Sequence, residues 1–292
     1  MDRFVFVILH YITIDDTIEC INSIKENINY CNYKIVVVDN GSPNNSGKKL
    51  LELYDNDNKV EIILSNENLG FSKGNNIGFE YSKSILNADY ICVINNDTII
   101  EQNDFINKCI CKFTEEKYYV LGPDIISTID GGHQNPYKAN VYTYKSLKRD
   151  RILMNIYLYL NYLGIEKYTI KLRKKFSKSN SSVTNVRNNY VLHGSCMIFS
   201  PLYLQKYSKI GDYTFMYGEE DILFYICANL GLKYLYSDDL KIYHKESSAT
   251  KKNLNNKSDK QLRFFYKNKL KSSKVLKNVI TNYYGSIDSI LR

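Results

Sequence analysis

Residues 4–9 (Phe4, Val5, Phe6, Val7, Ile8, Leu9) form an unbroken apolar run, and residues 35–38 (Ile35, Val36, Val37, Val38) form a second. Uninterrupted runs of this length predict strands buried on both faces. Similar runs at 60–64 and 90–94 predict a third and a fourth. Between the first two, Ile18, Ile21, Ile24 and Ile28 recur at three- and four-residue steps, the spacing of one helix face, with Asp15 and Asp16 as candidate N-caps. Further helices are expected near 47–54, 73–86 and 104–113, followed by a short strand at 119–122. This alternation predicts an α/β fold, a Rossmann-like mostly parallel sheet flanked by helices, with ligands outside the carboxyl ends of the strands.

Beyond residue 122 the rhythm changes. Residues 127–146 hold Gly131, Gly132 and Pro136 and read as loop. Residues 147–178 read as a basic, tyrosine-rich helical stretch and 178–189 as a polar break. A strand at 190–200, a helix at 220–230 and strands at 232–236 and 240–244 follow, then a lysine-rich helical tail from 251. The expected organisation is a domain over 1–250 with a basic helical extension over 251–292. Within that domain the rhythm separates 1–122, a variable insert over 123–190, and 190–250.

Composition narrows the classes. The 292 residues carry Lys+Arg 39 against Asp+Glu 31, a net charge of +8, with 27 Tyr and no Trp. A basic balance invites an anionic partner, but no nucleic-acid recognition motif is present. Seven Cys, an odd number with no Cys-x-x-Cys pair, read as buried or free thiols in a reducing compartment. The first apolar run lacks a signal-peptide cleavage site, and the run at 152–165 falls short of the roughly 20 residues a spanning helix needs. A cytoplasmic protein is expected, peripheral at the inner face of the plasma membrane if its basic stretches touch lipid.

Four segments carry candidate chemistry. Asp39 ends the second strand, where a carboxylate can accept the N3 proton of uracil or thymine or simply cap its own turn. Gly70, Gly74 and Gly78 recur every four residues, lining one helix face for close approach of a neighbour or ligand. The fourth strand runs into Asn95-Asn96-Asp97, oxygen ligands suited to a hard divalent cation or to a plain turn. Gly218 precedes Glu219, Glu220 and Asp221, three acids suited to a helix start or to a general base whose pKa is raised by mutual repulsion. His244 closes the last expected strand.

In this order, with Val36-Val37-Val38-Asp39-Asn40-Gly41-Ser42, Asn68-Leu69-Gly70-Phe71, Gly74-Asn75-Asn76-Ile77-Gly78, His193-Gly194-Ser195-Cys196 and Tyr217-Gly218-Glu219-Glu220-Asp221, the segments resemble family-2 inverting glycosyltransferases of GT-A fold. The resemblance is to the branch building bacterial surface polysaccharides, rhamnosyltransferase-like members included. The resemblance implies that Asp39 holds the nucleobase near His10 and Tyr11. Asn68, Gly70, Gly74 and Asn76 would flank the nucleoside and diphosphate, together with Asn95 and Asn96. Asp97 and His244 would bind Mg²⁺ or Mn²⁺. Gly194 and Ser195 would border donor sugar and acceptor, and Glu220, or its neighbour Glu219 or Asp221, would be the base. Asn95 stands where the family's Asp-x-Asp motif has its first acid.

The implied donor is a UDP- or dTDP-sugar, and the implied acceptor a glycan or polyprenyl-diphosphate-linked glycan. An inactive nucleotide-sugar-binding protein and a sugar-1-phosphate nucleotidyltransferase are the competing readings. Against the second, residues 10–13 lack a glycine-rich basic loop. The basic stretches at 145–178 and 251–277 fit an anionic membrane surface or a solvated face over a packed core.

Overall fold

The computed structural model describes residues 1–137, 142–165, 190–211, 214–246, 258–281 and 291. Eight strands form one sheet: β1 (Phe4–His10), β2 (Tyr33–Asp39), β3 (Val60–Leu64), β4 (Tyr90–Asn95), β5 (Thr98–Ile99), β6 (Val120–Ser127), β7 (Cys196–Phe199) and β8 (Tyr234–His244). Their spatial order is β3-β2-β1-β4-β7-β6-β8-β5. Neighbours pair in parallel except around β7 and β5, which run against the rest.

The helices are α1 (Ile14–Asn27), α2 (Ser46–Tyr54), α3 (Phe71–Ser84), α4 (Phe105–Glu116), α5 (Tyr144–Tyr162), α6 (Pro201–Lys206), α7 (Glu219–Leu230) and α8 (Ser258–Ile280). The two-residue period of β1 assigns its side chains to opposite layers. Phe4, Phe6 and Ile8 join Ile21, Ile24 and Phe105 on the side of α1 and α4. Val7 joins Phe79, Phe199 and Ile222 on the side of α3 and α7. Burial on both faces is why the central strands show no polar alternation.

Several boundaries differ from expectation for identifiable reasons. Thr13, not Asp15 or Asp16, stands at the N-cap of α1, and the two acids occupy the first turn, where they face the positive end of the helix dipole. The short strand expected at 119–122 runs on as β6 to Ser127, because β8 pairs with it as far as Ser127↔His244. The strands expected at 232–236 and 240–244 are one strand, and a register shift between Pro123 and Asp124 absorbs the polar residues between them. The strand expected at 190–200 shortens to β7, leaving 190–195 to reach the sheet's carboxyl edge. The two-residue β5 is too short to leave a periodic signal. The expected helix at 147–178 is α5 as far as Tyr162, and the tail helix is α8. The remainder of both stretches, with the polar break at 178–189, lies outside the described residues, apart from residues 163–165, 281 and 291. All seven cysteines are free, five of them buried. Among the described residues no helix is long and apolar enough to cross a membrane.

His10 pins the end of β1. Its ring is fully buried, with Nδ1 2.7 Å from Thr17 Oγ1 of α1 and Nε2 2.7 Å from Ser46 Oγ of α2. Burial lowers the imidazole to about 4, against the opposing pull of Asp39. The folded protein holds this ring neutral while the unfolded chain protonates near pH 6.5, so the stabilisation is complete above 6.5 and is lost as pH falls toward 4. Its size is on the order of 3 kcal/mol. Urea midpoints should therefore fall between pH 7 and 5, and a His10→Gln variant should show a shallower decline. Parallel slopes for the two proteins would refute this account of His10.

Candidate active site

The register of the sheet gathers the polar strand ends. His10 lies opposite Asp39, Leu9 opposite Asn95, and Ser127 and Thr98 both opposite His244. Because β7 is antiparallel, its first residue, Cys196, pairs with Ile94 near the end of β4. The segment before it, His193-Gly194-Ser195, is thereby delivered to the same carboxyl edge. The Asn95 N–H donates to the Ser195 carbonyl at 2.8 Å and locks that junction.

On the β1–β2 side, Asp39 is buried and accepts from the Ser42 N–H at 3.3 and 3.4 Å. It also sits so close to Gly47 that a Cβ there would lie 2.0 Å from Asp39 Oδ2. Tyr11, half-buried, is the first residue beyond β1, and its carbonyl accepts from Thr13. Asn40 donates to Asn68 Oδ1 and to the Gly70 carbonyl, both at 3.1 Å, and accepts from the Leu69 N–H. Asn68 Oδ1 also takes the Gly70 N–H. This knot joins the two loops that border the crevice. Gly70 has φ +82°, and a Cβ on it would meet the Phe215 carbonyl oxygen at 2.2 Å. Gly74 packs against Leu9 and Asn40. The glycine-rich start of α3 is thus clamped to the loop that leads into α7.

Three of the residues expected at the nucleotide site direct their polar atoms into the scaffold. His10 bonds α1 and α2 as described. Asn76 is buried, donating to the Gly211 carbonyl and accepting from the Ile210 N–H. Asn96 donates to Thr13 Oγ1 and Thr17 Oγ1 at 2.8 and 2.9 Å, fastening the β4–β5 turn to α1. Nothing in their residue types separates a ligand contact from a scaffold contact, since each Asn offers the same donor and acceptor to both.

Asp97 and His244 come together as a pair: Oδ1 and Nε2 are 3.2 Å apart, both nearly buried. The other side of the ring settles the tautomer. Gln134 donates its amide N–H to Glu246 Oε1 at 2.6 Å, so its carbonyl oxygen faces His244 Nδ1 at 2.8 Å and makes that nitrogen the donor. His244 Nε2 then turns a lone pair toward a carboxylate, an arrangement that needs a proton or a cation between them. A carboxylate and a ring nitrogen oriented by a second layer suit Mg²⁺ or Mn²⁺. No group of three acidic, His or Cys side chains is assembled as a metal site among the described residues. His193 stacks edge-on to His244 at 5.6 Å, and its Nδ1 accepts from the Ser195 N–H. Burial, and then the nearness of His244, lowers it to about 4, leaving it neutral. Gln134 and Glu246 escaped sequence reading because neither lies in a motif.

The three acids of α7 divide into distinct states. Gly218 is the N-cap, with φ +97°, and no side chain caps the helix. Asp221 is fully buried with Lys269 Nζ of α8 at 3.5 Å. Glu219 has its Oε1 enclosed without a hydrogen-bond partner, and burial, then repulsion from Glu220, raises it to about 8, so it holds its proton at neutral pH. Glu220 lies against Gly194, where an added Cβ would stand 2.8 Å from its Oε1. With Glu219 and with Phe71 and Ser72 of α3, it lines a small cleft between α3, β7 and α7.

Comparison with known proteins identifies the family and the fold. The sequence pattern of glycosyl transferase family 2 matches residues 6–179, more than half of the chain. The chain belongs to glycosyl transferase family 2. Over 86 residues it is 29% identical to glycosyltransferase GlyG of Streptococcus pneumoniae serotype 4, a match covering 30% of this chain and 27% of that relative. Its fold resembles S. aureus TarS 1-349 in complex with UDP, with a TM-score of 0.54 and 14% identity over 84% of this chain and 61% of that one. It also resembles the mannosyltransferase PcManGT of Pyrobaculum calidifontis in complex with GDP-Man and Mn²⁺, with a TM-score of 0.55 and 10% identity over 96% and 73% of the two chains. The family's α/β fold with a mixed, mostly parallel sheet is therefore established for this chain.

The Lys269–Asp221 pair joins the tail helix to the acids. A Lys269→Met substitution leaves a buried carboxylate without that cation and should cost about 3–5 kcal/mol. Adding Asp221→Asn should recover most of the loss. Chemical denaturation of the single and double variants measures both, and no recovery in the double variant would show that the charge pairing is not what matters.

Proposed function

We propose that this family-2 chain transfers a sugar from a UDP- or dTDP-sugar to a glycan or polyprenyl-diphosphate-linked glycan, with inversion at the anomeric carbon, in synthesis of a bacterial surface polysaccharide. The observation that carries the reading is the division of labour on α7. Asp221 is tied to Lys269, and of the two acids that line the cleft Glu219 holds its proton at neutral pH, which leaves Glu220, beside Gly194, as the base. A general base must reach the proton it removes and be free to take it, and Glu220 is the acid that this division leaves.

In this reading Asp39 accepts a hydrogen bond from the N3–H of the nucleobase, while the Asn40–Asn68–Gly70 knot holds the loop shape around the nucleoside. Asp97 and His244 would hold Mg²⁺ or Mn²⁺, with Gln134 and Glu246 fixing the ring's tautomer. When bound, the cation supplies positive charge to the departing diphosphate. Segment 193–195 touches both sides: its Ser195 carbonyl bonds Asn95, and Gly194 abuts Glu220. Glu220 takes the acceptor's hydroxyl proton as that oxygen attacks the anomeric carbon and the bond to the diphosphate oxygen breaks. A single displacement of this kind inverts the anomeric configuration. The complexes of TarS with UDP and of PcManGT with GDP-Man and Mn²⁺ support a nucleotide-sugar donor on this fold.

Glu220→Gln should lower turnover by about 10²–10⁴, with far smaller losses for Glu219→Gln. Asp97→Ala should remove transfer while leaving the circular dichroism spectrum unchanged. Proton NMR of the product reads the stereochemistry, and a retained anomer would exclude single displacement. An assay that finds donor bound but neither hydrolysed nor transferred, across UDP- and dTDP-sugars, would favour the inactive binding protein instead.

A further inference from the structure

The exposed side of α5 carries an unusual residue pattern. Ile152, Ile156, Tyr159 and Leu163 recur at four-, three- and four-residue steps and so share one face. They are 53%, 47%, 65% and 54% exposed. Toward the helix start the same face continues as Lys145, Lys148 and Arg149, all exposed. The opposite face is the one that packs, through the buried Leu147 and Asn161. A capping box of Thr143 and Ser146 holds the helix start in place. An apolar stripe turned outward on a helix that already has a packed face is not explained by folding.

Beside it, α8 presents a second stripe. Lys260, Lys267, Lys271 and Lys274 recur at seven-, four- and three-residue steps, all exposed. The two helices run antiparallel, with Lys277 over the Tyr144 ring, Tyr157 stacked on Tyr266 at 6.1 Å, and Arg263 over the Tyr162 ring at 4.6 Å. Lys267 of the lysine stripe itself lies 5.6 Å from the centre of the exposed Tyr162 ring, so the cationic and apolar stripes adjoin. Among the described residues this layer therefore combines outward aliphatic and aromatic side chains with a dense row of lysines.

We propose that the α5–α8 layer docks on an anionic phospholipid bilayer, with Ile152, Ile156, Tyr159 and Leu163 entering the interfacial region and the lysine row facing lipid phosphates. The charge complementarity chooses this occupant. Lysine stems and heads bind an anionic surface diffusely, and Ile, Leu and Tyr gain by burial among headgroups and upper acyl chains. A second copy of the chain would bring its own lysine row against this one. The docking would place a peripheral enzyme beside a lipid-linked acceptor, yet it does not depend on the transferase reading, since lipid binding is measured without sugar transfer.

The test is flotation of the full chain with phosphatidylcholine vesicles and with phosphatidylcholine–phosphatidylglycerol vesicles. The intact chain should float with the anionic vesicles, weakly or not at all with the neutral ones, and less at high salt. Each lysine neutralised should lower the partition coefficient about fivefold, so K260Q/K267Q/K271Q/K274Q should abolish flotation. A second variant, I152S/I156S/L163S, should keep only salt-sensitive binding, and its exposed positions should leave the circular dichroism spectrum unchanged. Absence of flotation with anionic vesicles, equal binding to neutral vesicles, or unchanged binding of the serine variant would each overturn the proposal. So would a concentration-dependent dimer of the intact chain that the serine variant abolishes, which would assign the stripe to a second copy.

Discussion

The antiparallel insertion of β7 between β4 and β6 is the constraint on which the candidate site depends. A parallel strand in that place would begin at the amino edge of the sheet, and the residues before it would lie on the wrong side of the molecule. Reversed, β7 begins at the carboxyl edge, so 193–195 meet Asn95 through one backbone hydrogen bond of 2.8 Å. Everything that distinguishes the two halves of the crevice then converges on this segment. The strand ends of β1, β2 and β4 lie to one side, and the start of α7 packs against Gly194.

Close backbone approach does the rest. A Cβ at Gly70 would strike the Phe215 carbonyl, and one at Gly194 would crowd the Glu220 carboxylate. These two contacts set how near α3 and β7 stand to α7, and so where the acids point. The acids then differ by environment rather than by chemistry. Neighbouring carboxylates that all faced water would titrate alike. Here one is paired with an ammonium, and of the two that border the cleft one has an enclosed oxygen and keeps its proton while the other lies against Gly194. The same logic separates the buried histidines: His10 and His193 are neutral because burial disfavours charge, whereas His244 has its tautomer imposed by Gln134 and Glu246.

How far the sequence foretells this follows from which interactions are local. β1 to β4 and the helices among them are legible because burial on two faces leaves continuous apolar runs, and one-sided burial leaves a helical period. The ends of those strands are legible because turn-forming residues follow them. The true extents of β6 and β8 are not, because Asp124, Asp238 and Lys241 interrupt the apolar pattern and are accommodated by a register shift that depends on the partner strand. At the site, Asp39, Asp97 and the acidic triplet stand out by type and position. Gln134, Glu246 and Lys269 do not, since their contacts cross more than 100 residues in two cases and 48 in the third. Asn76 and Asn96 show the converse, polar residues inside motifs whose side chains are occupied by the backbone and by α1.

The tail helix ties these observations together. Along α8, Lys269 turns inward to Asp221, while Lys267 and Lys271, two residues to either side, turn outward. On a helix of 3.6 residues per turn, residues two apart lie on opposite sides, so one element with one lysine-rich composition serves two electrostatic environments. Inside, a single ammonium offsets a fully buried carboxylate at the start of the acid-bearing helix, where its loss is costly because water cannot replace it. Outside, each lysine is solvated and individually weak, and only the row as a whole discriminates one surface from another. Because both sets sit on one rigid helix packed along α5 and α7, a force that orients the outer row also orients the helix that holds Asp221. Along α8, the lysine-rich composition thus resolves into one inward counter-charge, Lys269, and one outward row.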